Sequence, residues 1–374
     1  MSLKDIFCQD RAIRLLQRAL SADKVPHAYI FAAPEGVGKY TTAREWAKLL
    51  LCKNPAVEKN DGGDFADSCG RCQSCQSFDT GSHPDFTHIY KELREFTEEG
   101  RGKQAPLELP IDVIREFLVG KVSIKPALSP RKVFIVSEAE KLNVSSQNCL
   151  LKALEEPPLY CCIILLCTRL EQLLPTIKSR CQIIRFGPIE QGKVIEKLEQ
   201  MNLDRNIAKF FSRLSQGSLG LACLWAKLQL ADARLYETKK MLLTSISGCE
   251  LADTLDLSQK FLDEGKRIAG VWAELDKTTS KSDIDRKAQK TLIQIIVSAL
   301  HDAMKSDTTQ SQELINFDQH ELIKKLAARF SPEQSAQKVT DCYKLFRWLD
   351  DGVNEKLIFD HLLLNLSVSD IMKI

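Results

Sequence analysis

The stretch "AAPEGVGKYT", Ala32 to Thr41, decides how the first half of the chain is read. A phosphate-binding loop has the pattern G-x-x-x-x-G-K-[ST]. Here Ala33 stands at the first glycine position, Gly38 and Lys39 are in place, and Tyr40 takes the hydroxyl position. The flanks match what the motif needs. "HAYIFAA" (His27 to Ala33) reads as a strand running into the glycine-rich turn, and "TTAREWAKLLL" (Thr41 to Leu51) as a helix leaving it. That strand–turn–helix context argues against a chance match.

Working outward, the alternation continues. "KVFIVSEAE" (Lys132 to Glu140) and "CCIILLCT" (Cys161 to Thr168) read as strands, and "CQIIRFGP" (Cys181 to Pro188) as one more. Between the first two lies the helical "SQNCLLKALEE", stopped by Pro157 and Pro158. Apolar, β-branched strands alternating with helices predict an α/β fold with a parallel sheet covered on both faces. Beyond Pro188 no strand pattern is evident. "QGKVIEKLEQMN", "RNIAKFFSRLSQ" and "GSLGLACLWAKLQL" are helical, and from about Leu251 the chain reads as all-helical. "ELDKTTSKSDIDRKAQK" predicts a loop followed by the start of a long helix, and "SDTTQSQELINFDQ" a connector.

Composition narrows the function class. The 374 residues are 44% hydrophobic and 27% charged, with a formal net charge of +2. This is a globular composition without the basic excess of a general nucleic-acid binder. The longest clear apolar run, "CCIILLC", fits a buried strand and is too short to span a bilayer. The opening "MSLKDIFCQDRAIRLLQRAL" carries acidic residues and helical periodicity, unlike a secretory signal, so a cytoplasmic location is expected. Thirteen cysteines, an odd number scattered through apolar segments, argue against a secreted disulfide scaffold. Cys161, Cys162 and Cys167 read as small buried hydrophobes.

Four other cysteines are spaced differently. Cys52, Cys69, Cys72 and Cys75 form C-x16-C-x2-C-x2-C around a polar, turn-rich stretch. Two C-x2-C steps sharing one cysteine let four thiolates converge on a single ion. A tetrahedral Zn²⁺ suits that set and, with no open position, would be structural. An iron–sulfur cluster is the alternative for the same ligands, and four unrelated thiols the bland reading. His83 and His88, nearby, read as ordinary fold residues.

In a working loop, backbone N–H groups wrap the phosphates, the lysine reaches the β- and γ-phosphates, and the next hydroxyl holds Mg²⁺. Gly36, Gly38, Lys39 and Thr41 are the candidate ATP-binding residues here, in a degenerate loop. Tyr40 cannot place a short hydroxyl on the metal, and Thr41, one residue late, is turned about 100° around the helix. The aspartate needed at the end of the acidic strand is also missing: Ser137 stands there, followed by Glu138. Two losses at one metal site predict that the chain does not hold Mg²⁺ or hydrolyse ATP; nucleotide binding as such is left open.

With both strand ends read, the chain resembles the clamp-loader subunits of bacterial DNA polymerase III, a family of the AAA+ class, and within it the delta-prime kind. "VPHAYIFAAPEGVGK" (Val25 to Lys39) is similar to the family's opening strand and loop, and the cysteine cluster to its zinc module. "HPDF" (His83 to Phe86) resembles the short motif just beyond, and "KVFIVSEAEKLNVSSQNCLLKALEEPP" (Lys132 to Pro158) the acidic strand and following helix. "LLPTIKSRC" (Leu173 to Cys181) resembles the Ser-Arg-Cys signature. The match covers roughly the first half; in the tail only "NEKLIFDHLLLNL" (Asn354 to Leu366) is similar.

The resemblance implies three domains: a RecA-like core at 1–187 with a zinc-binding insert at 52–78, a helical lid at 188–240, and a helical collar at 241–374. It implies a hetero-oligomer with tau/gamma and delta subunits that loads a sliding clamp onto primed DNA. Arg180 of the Ser-Arg-Cys motif is then an arginine finger projecting into a neighbour's ATP site, with Ser179 and Cys181 shaping its turn. Thr168 resembles the polar sensor position, and Gly220, in "GSLGLA", falls where a motor subunit has its sensor arginine. Glu155 and Glu156 lie at a helix end without a matching base or nucleophile and read as non-catalytic. The sequence leaves two rivals. One is an active clamp-loader ATPase of the tau/gamma kind in which Glu138 rescues the metal. The other is a zinc-ribbon nucleic-acid binder, which the lack of a basic or aromatic run around Cys69 to Cys75 counts against.

Overall fold

The structure is a computed structural model that describes residues 2–60, 63–100, 107–277 and 279–368. Residues 61 and 62 of the expected insert, 1 and 101–106 of the expected core, and 278 and 369–374 of the expected collar lie outside the described residues. The chain divides into two compact units. The first is Met1–Glu190 with Ser218–Gly220, and the second is Gln191–Gly217 with Leu221–Ile374.

The first unit opens with α1 (Asp10–Ser21), β1 (Ala28–Ala32) and α2 (Lys39–Leu51). A hairpin, β2 (Ala56–Asn60) and β3 (Gly63–Asp67), precedes α3 (Gln73–Asp79) and β4 (Phe86–Ile89). A helix follows, made of α4 (Ile111–Ile114), a π turn at Arg115–Val119 and α5 (Gly120–Val122). Then come β5 (Lys132–Val136), α6 (Val144–Glu155), β6 (Cys161–Cys167), α7 (Pro175–Lys178) and β7 (Gln182–Arg185). Five strands form a parallel sheet in the order β4-β5-β6-β1-β7, so the loop after β1 opens beside a central position.

All seven residues of β6 are buried, as a central parallel strand requires, and its neighbours β1 and β5 are buried throughout. Side chains alternate between two cores. Tyr29, Phe31, Val133, Ile135, Cys162 and Ile164 face α1 and α2, where Trp46 meets Tyr29 edge-on at 6.4 Å. Ala28, Ile30, Phe134, Val136, Ile163 and Leu165 face the α4–α5 helix and α6. The sheet is thus covered on both faces, and the buried cysteines of β6 pack as hydrophobes in both layers. Phe134 is fully buried at the middle of β5, and truncating it to alanine costs ~3–5 kcal/mol.

Two segments differ from the sequence reading. The strand beginning at Lys132 stops at Val136, because Glu138 turns into the left-handed region (φ 51°) and a 3-10 turn follows. The polar stretch between Cys52 and Cys69 also forms the β2–β3 hairpin. Gln17 closes one edge of it, donating from Nε2 to Ala66 O (2.7 Å) and accepting from Ala66 N (2.9 Å).

The second unit is all-helical: α8 (Gln191–Glu199), α9 (Arg205–Leu214), α10 (Leu219–Leu228, whose first two residues count with the first unit), α11 (Leu235–Ser247), α12 (Thr254–Leu275), α13 (Lys281–Lys305), α14 (His320–Arg329), α15 (Pro332–Asp350) and α16 (Glu355–Ser367). Ser280 caps α13, accepting from Asp283 N. Buried positions on several sides of α13, from Ile284 to Ala303, make it the centre about which α11, α12, α14 and α15 pack. Lys239 is fully buried there. Its ammonium pairs with Asp318 and lies 4.5 Å from the Phe210 ring. Among the described residues no helix is long and apolar enough to cross a membrane.

Candidate functional site

The glycine-rich turn forms as its residues dictate. Gly36 (φ 77°) and Gly38 (φ 100°) hold left-handed backbone that side chains disfavour, and α2 starts at Lys39 with Gly38 as its cap. The lysine points inward. Lys39 Nζ donates to Ala33 O (2.5 Å) and Pro34 O (2.6 Å), carbonyls of its own loop. Burial lowers the ammonium's pKa, while the Glu140 and Glu35 carboxylates pull it back up. A second segment caps the turn: Ser218 Oγ donates to Glu35 O (2.7 Å) and Gly220 N to Gly36 O (2.7 Å). Thr41 is half-buried, and it is Thr42 whose hydroxyl returns to Gly38 O (2.9 Å).

The two positions where a magnesium site would be built are joined by His88, which the sequence alone presents as an ordinary fold residue. The Tyr40 ring packs on His88 at 4.9 Å, and His88 packs on Tyr90 at 5.0 Å. Nε2 of the same imidazole is hydrogen-bonded to Ser137 Oγ at 2.8 Å. Burial pushes His88 down to about 4, so the ring is neutral at physiological pH. Tyr40, His88 and Ser137 thus form one connected set without a carboxylate. The nearby acids are engaged elsewhere: Glu138 pairs with Lys141 at 2.5 Å, and Glu140 accepts from Thr168 N (3.1 Å) and from its hydroxyl.

Arg180 follows the short helix α7, and Ser179, whose hydroxyl donates to Thr176 O (3.0 Å), caps its end. One arm of the guanidinium donates to Thr176 O (3.0 Å), and the other meets Glu155 Oε1 at 2.9 Å. The side chain stays 36% exposed, enough for a group outside the chain to reach it. Burial pushes the Cys181 thiol up to about 12, which makes it a packing residue.

The four spaced cysteines come together. Cys52 ends α2, Cys72 caps α3, Cys75 lies in its first turn and Cys69 precedes both. Their sulfurs all lie within 4.8 Å of one another, with Cys52–Cys69 at 3.5 Å, Cys52–Cys72 at 3.9 Å and Cys69–Cys75 at 4.0 Å. None is in a disulfide. A tetrahedral ion with Zn–S bonds of ~2.3 Å needs sulfurs about 3.8 Å apart, so the cluster could hold a metal ion. Backbone N–H groups of Cys69, Cys72 and Cys75 donate to the sulfurs of Cys52, Cys69 and Cys72 respectively, which suits thiolates. At Cys72, burial opposes ionisation but the Cys75 and Lys53 N–H groups and neighbouring thiols outweigh it, bringing the thiol to about 6.

His83, beside this cluster, is a brace. Its Nδ1 accepts from Asp85 N (3.0 Å), so Nε2 carries the proton and donates to Ser74 Oγ (2.9 Å) and Ser129 Oγ (3.0 Å). Both hydroxyls donate onward to Leu51 O (2.7 and 2.8 Å). Asp85 accepts from the N–H groups of Ala127, Leu128 and Ser129 at 2.7–2.8 Å. Every polar atom named in this network has a partner, so the His-Ser pairing is structural.

A family model described as "DNA polymerase III, delta subunit" matches residues 8–190, and one described as "DNA polymerase III, delta subunit, C terminal" matches residues 279–367. The DNA polymerase III subunit delta' of Pseudomonas aeruginosa is 39% identical over 155 residues, 41% of this chain and 41% of that protein. That of Bacillus subtilis is 27% identical over 234 residues, 61% of this chain and 64% of its own length. The DNA polymerase III subunit tau of Bacillus subtilis is 26% identical over 284 residues, 70% of this chain and 46% of that protein. The matched parts therefore span between about two fifths and two thirds of these relatives.

Proposed function

We propose that this chain, which belongs to the DNA polymerase III delta-subunit family, is a clamp-loader subunit that does not hydrolyse ATP itself and instead completes the ATP site of a neighbouring motor subunit. The observation that carries this reading is the Tyr40–His88–Ser137 set. The two positions that a P-loop ATPase gives to magnesium ligands hold an aromatic ring and a hydroxyl bonded to a neutral imidazole.

Arg180 is then the contribution to catalysis. Set in the Ser-Arg-Cys turn and partly exposed, it projects its guanidinium toward the γ-phosphate bound by the adjacent tau/gamma subunit and stabilises charge on the transferred phosphoryl group. The complex, with delta as a further partner, opens the sliding clamp and places it on primed DNA. Contacts to DNA would be to phosphates, without sequence readout. Cys52, Cys69, Cys72 and Cys75 hold one structural Zn²⁺, which folds a segment with too little apolar content to fold alone. The 1–187 core, 188–240 lid and 241–374 collar remain the proposed division of labour, the collar holding the subunits in a ring.

ATP turnover is measured for the chain alone, then in the complex with tau/gamma and delta, with Arg180→Ala as control. No turnover alone and a loss on the order of 10³-fold or more in the Arg180→Ala complex support the proposal. Turnover by the isolated chain supports the second reading, an active ATPase, which the similarity to tau subunits favours.

A further inference from the structure

We infer that Glu155 positions the Arg180 guanidinium for its action on the neighbouring subunit, an inference that rests on Arg180 being the finger proposed above. Glu155 is the last residue of α6. A carboxylate there faces the negative end of the helix dipole, so the helix itself gains nothing from it. After the cap residue Glu156 come Pro157 and Pro158, which fix where the helix stops and hence where this carboxylate stands. It stands 2.9 Å from Arg180, whose other arm is held by Thr176 O at 3.0 Å.

The pair is a poor stability device. Both side chains are more than a third exposed, and solvent screening leaves exposed ion pairs little net stabilisation. Its effect is geometric. A free arginine side chain samples many rotamers. Two anchors on two different elements, the end of α6 and the α7 turn, restrict it before any phosphate arrives. Arginine has five N–H donors, so donors remain for a phosphoryl oxygen while Glu155 and Thr176 keep theirs. Glu155 does not touch the reacting atoms; it acts through Arg180 as a positioning residue.

The test uses the complex reconstituted with tau/gamma and delta, sliding clamp and primed DNA, and reads kcat and KM for ATP. Glu155→Ala is expected to lower kcat roughly 10- to 100-fold with KM unchanged, the scale of loss from a misplaced catalytic group. Glu155→Asp, which keeps the charge, should restore part of the rate. In an Arg180→Ala background, Glu155→Ala should cost nothing further, which a merely structural role would not produce. An unchanged kcat for Glu155→Ala, with Arg180→Ala still impaired, overturns this inference alone. So does a raised kcat, which would mean that Glu155 parks the arginine away from its target, or an equal loss with and without Arg180. A parent-like rate for Arg180→Ala sinks the finger reading and this inference with it.

Discussion

Gly220 and Gly36 approach so closely that no side chain fits between them: a β-carbon on Gly220 would stand 2.7 Å from the Cα of Gly36 and 3.0 Å from its carbonyl oxygen. The obstacle is backbone, which cannot swing aside as a flexible side chain can. Gly220→Ala should therefore destabilise the first unit by ~1–3 kcal/mol in urea unfolding. An unchanged midpoint would mean that the Ser218–Gly220 segment does not hold this contact in solution.

The same closure limits repair of the ATP site. Tyr40→Thr with Ser137→Asp returns the two magnesium ligand types, yet leaves Ala33 at the loop's first glycine position and the loop capped by Gly220. The double variant is expected to show no ATP turnover when assayed alone. Turnover above the parent chain would show that the missing ligands were the whole deficit.

Metal content is a separate matter. Purified chain should carry one zinc, by elemental analysis, without the visible absorption of an iron–sulfur cluster. Removing it with a chelator should raise amide exchange at residues 52–60 and 63–79 while the five-stranded sheet stays protected. Loss of protection across the sheet would contradict a role confined to the insert.

The neutral His88 predicts a pH dependence. Its folded pKa is depressed from 6.5 to about 4, so the unfolded chain binds the extra proton first. The contribution is fully present above pH 6.5 and is lost as pH falls toward about 4. The urea midpoint of the parent should drop over that window more steeply than that of His88→Gln. Parallel slopes would place the titration elsewhere.

Much of this was legible in the sequence for physical reasons. β1, β5 and β6 are buried on both faces and read as continuous apolar runs, and the cysteine spacing announced a shared site. What escaped reading lacks such signals. β4 is a four-residue edge strand, "FTHI", half-exposed and without an apolar run, so its pairing with β5 decides it. His88 joins Tyr40 to Ser137 only because that edge strand lies beside β5. Glu155 looked inert because its partner, Arg180, is distant in sequence. Gly220 could be aligned to a sensor position, but its contact with Gly36 is made only in the fold.

The brace at Leu51 also fixes where the metal-site excursion begins and ends. The chain leaves the core at Leu51, makes its metal-site excursion and returns at His83. Ser129, which belongs to neither strand of that excursion, donates to Leu51 O and accepts from His83 Nε2. One hydroxyl outside the detour therefore bridges its two ends. The two ends are held by a group that the excursion itself does not supply, while Ala66 and Phe78 within it pack into the core under the sheet.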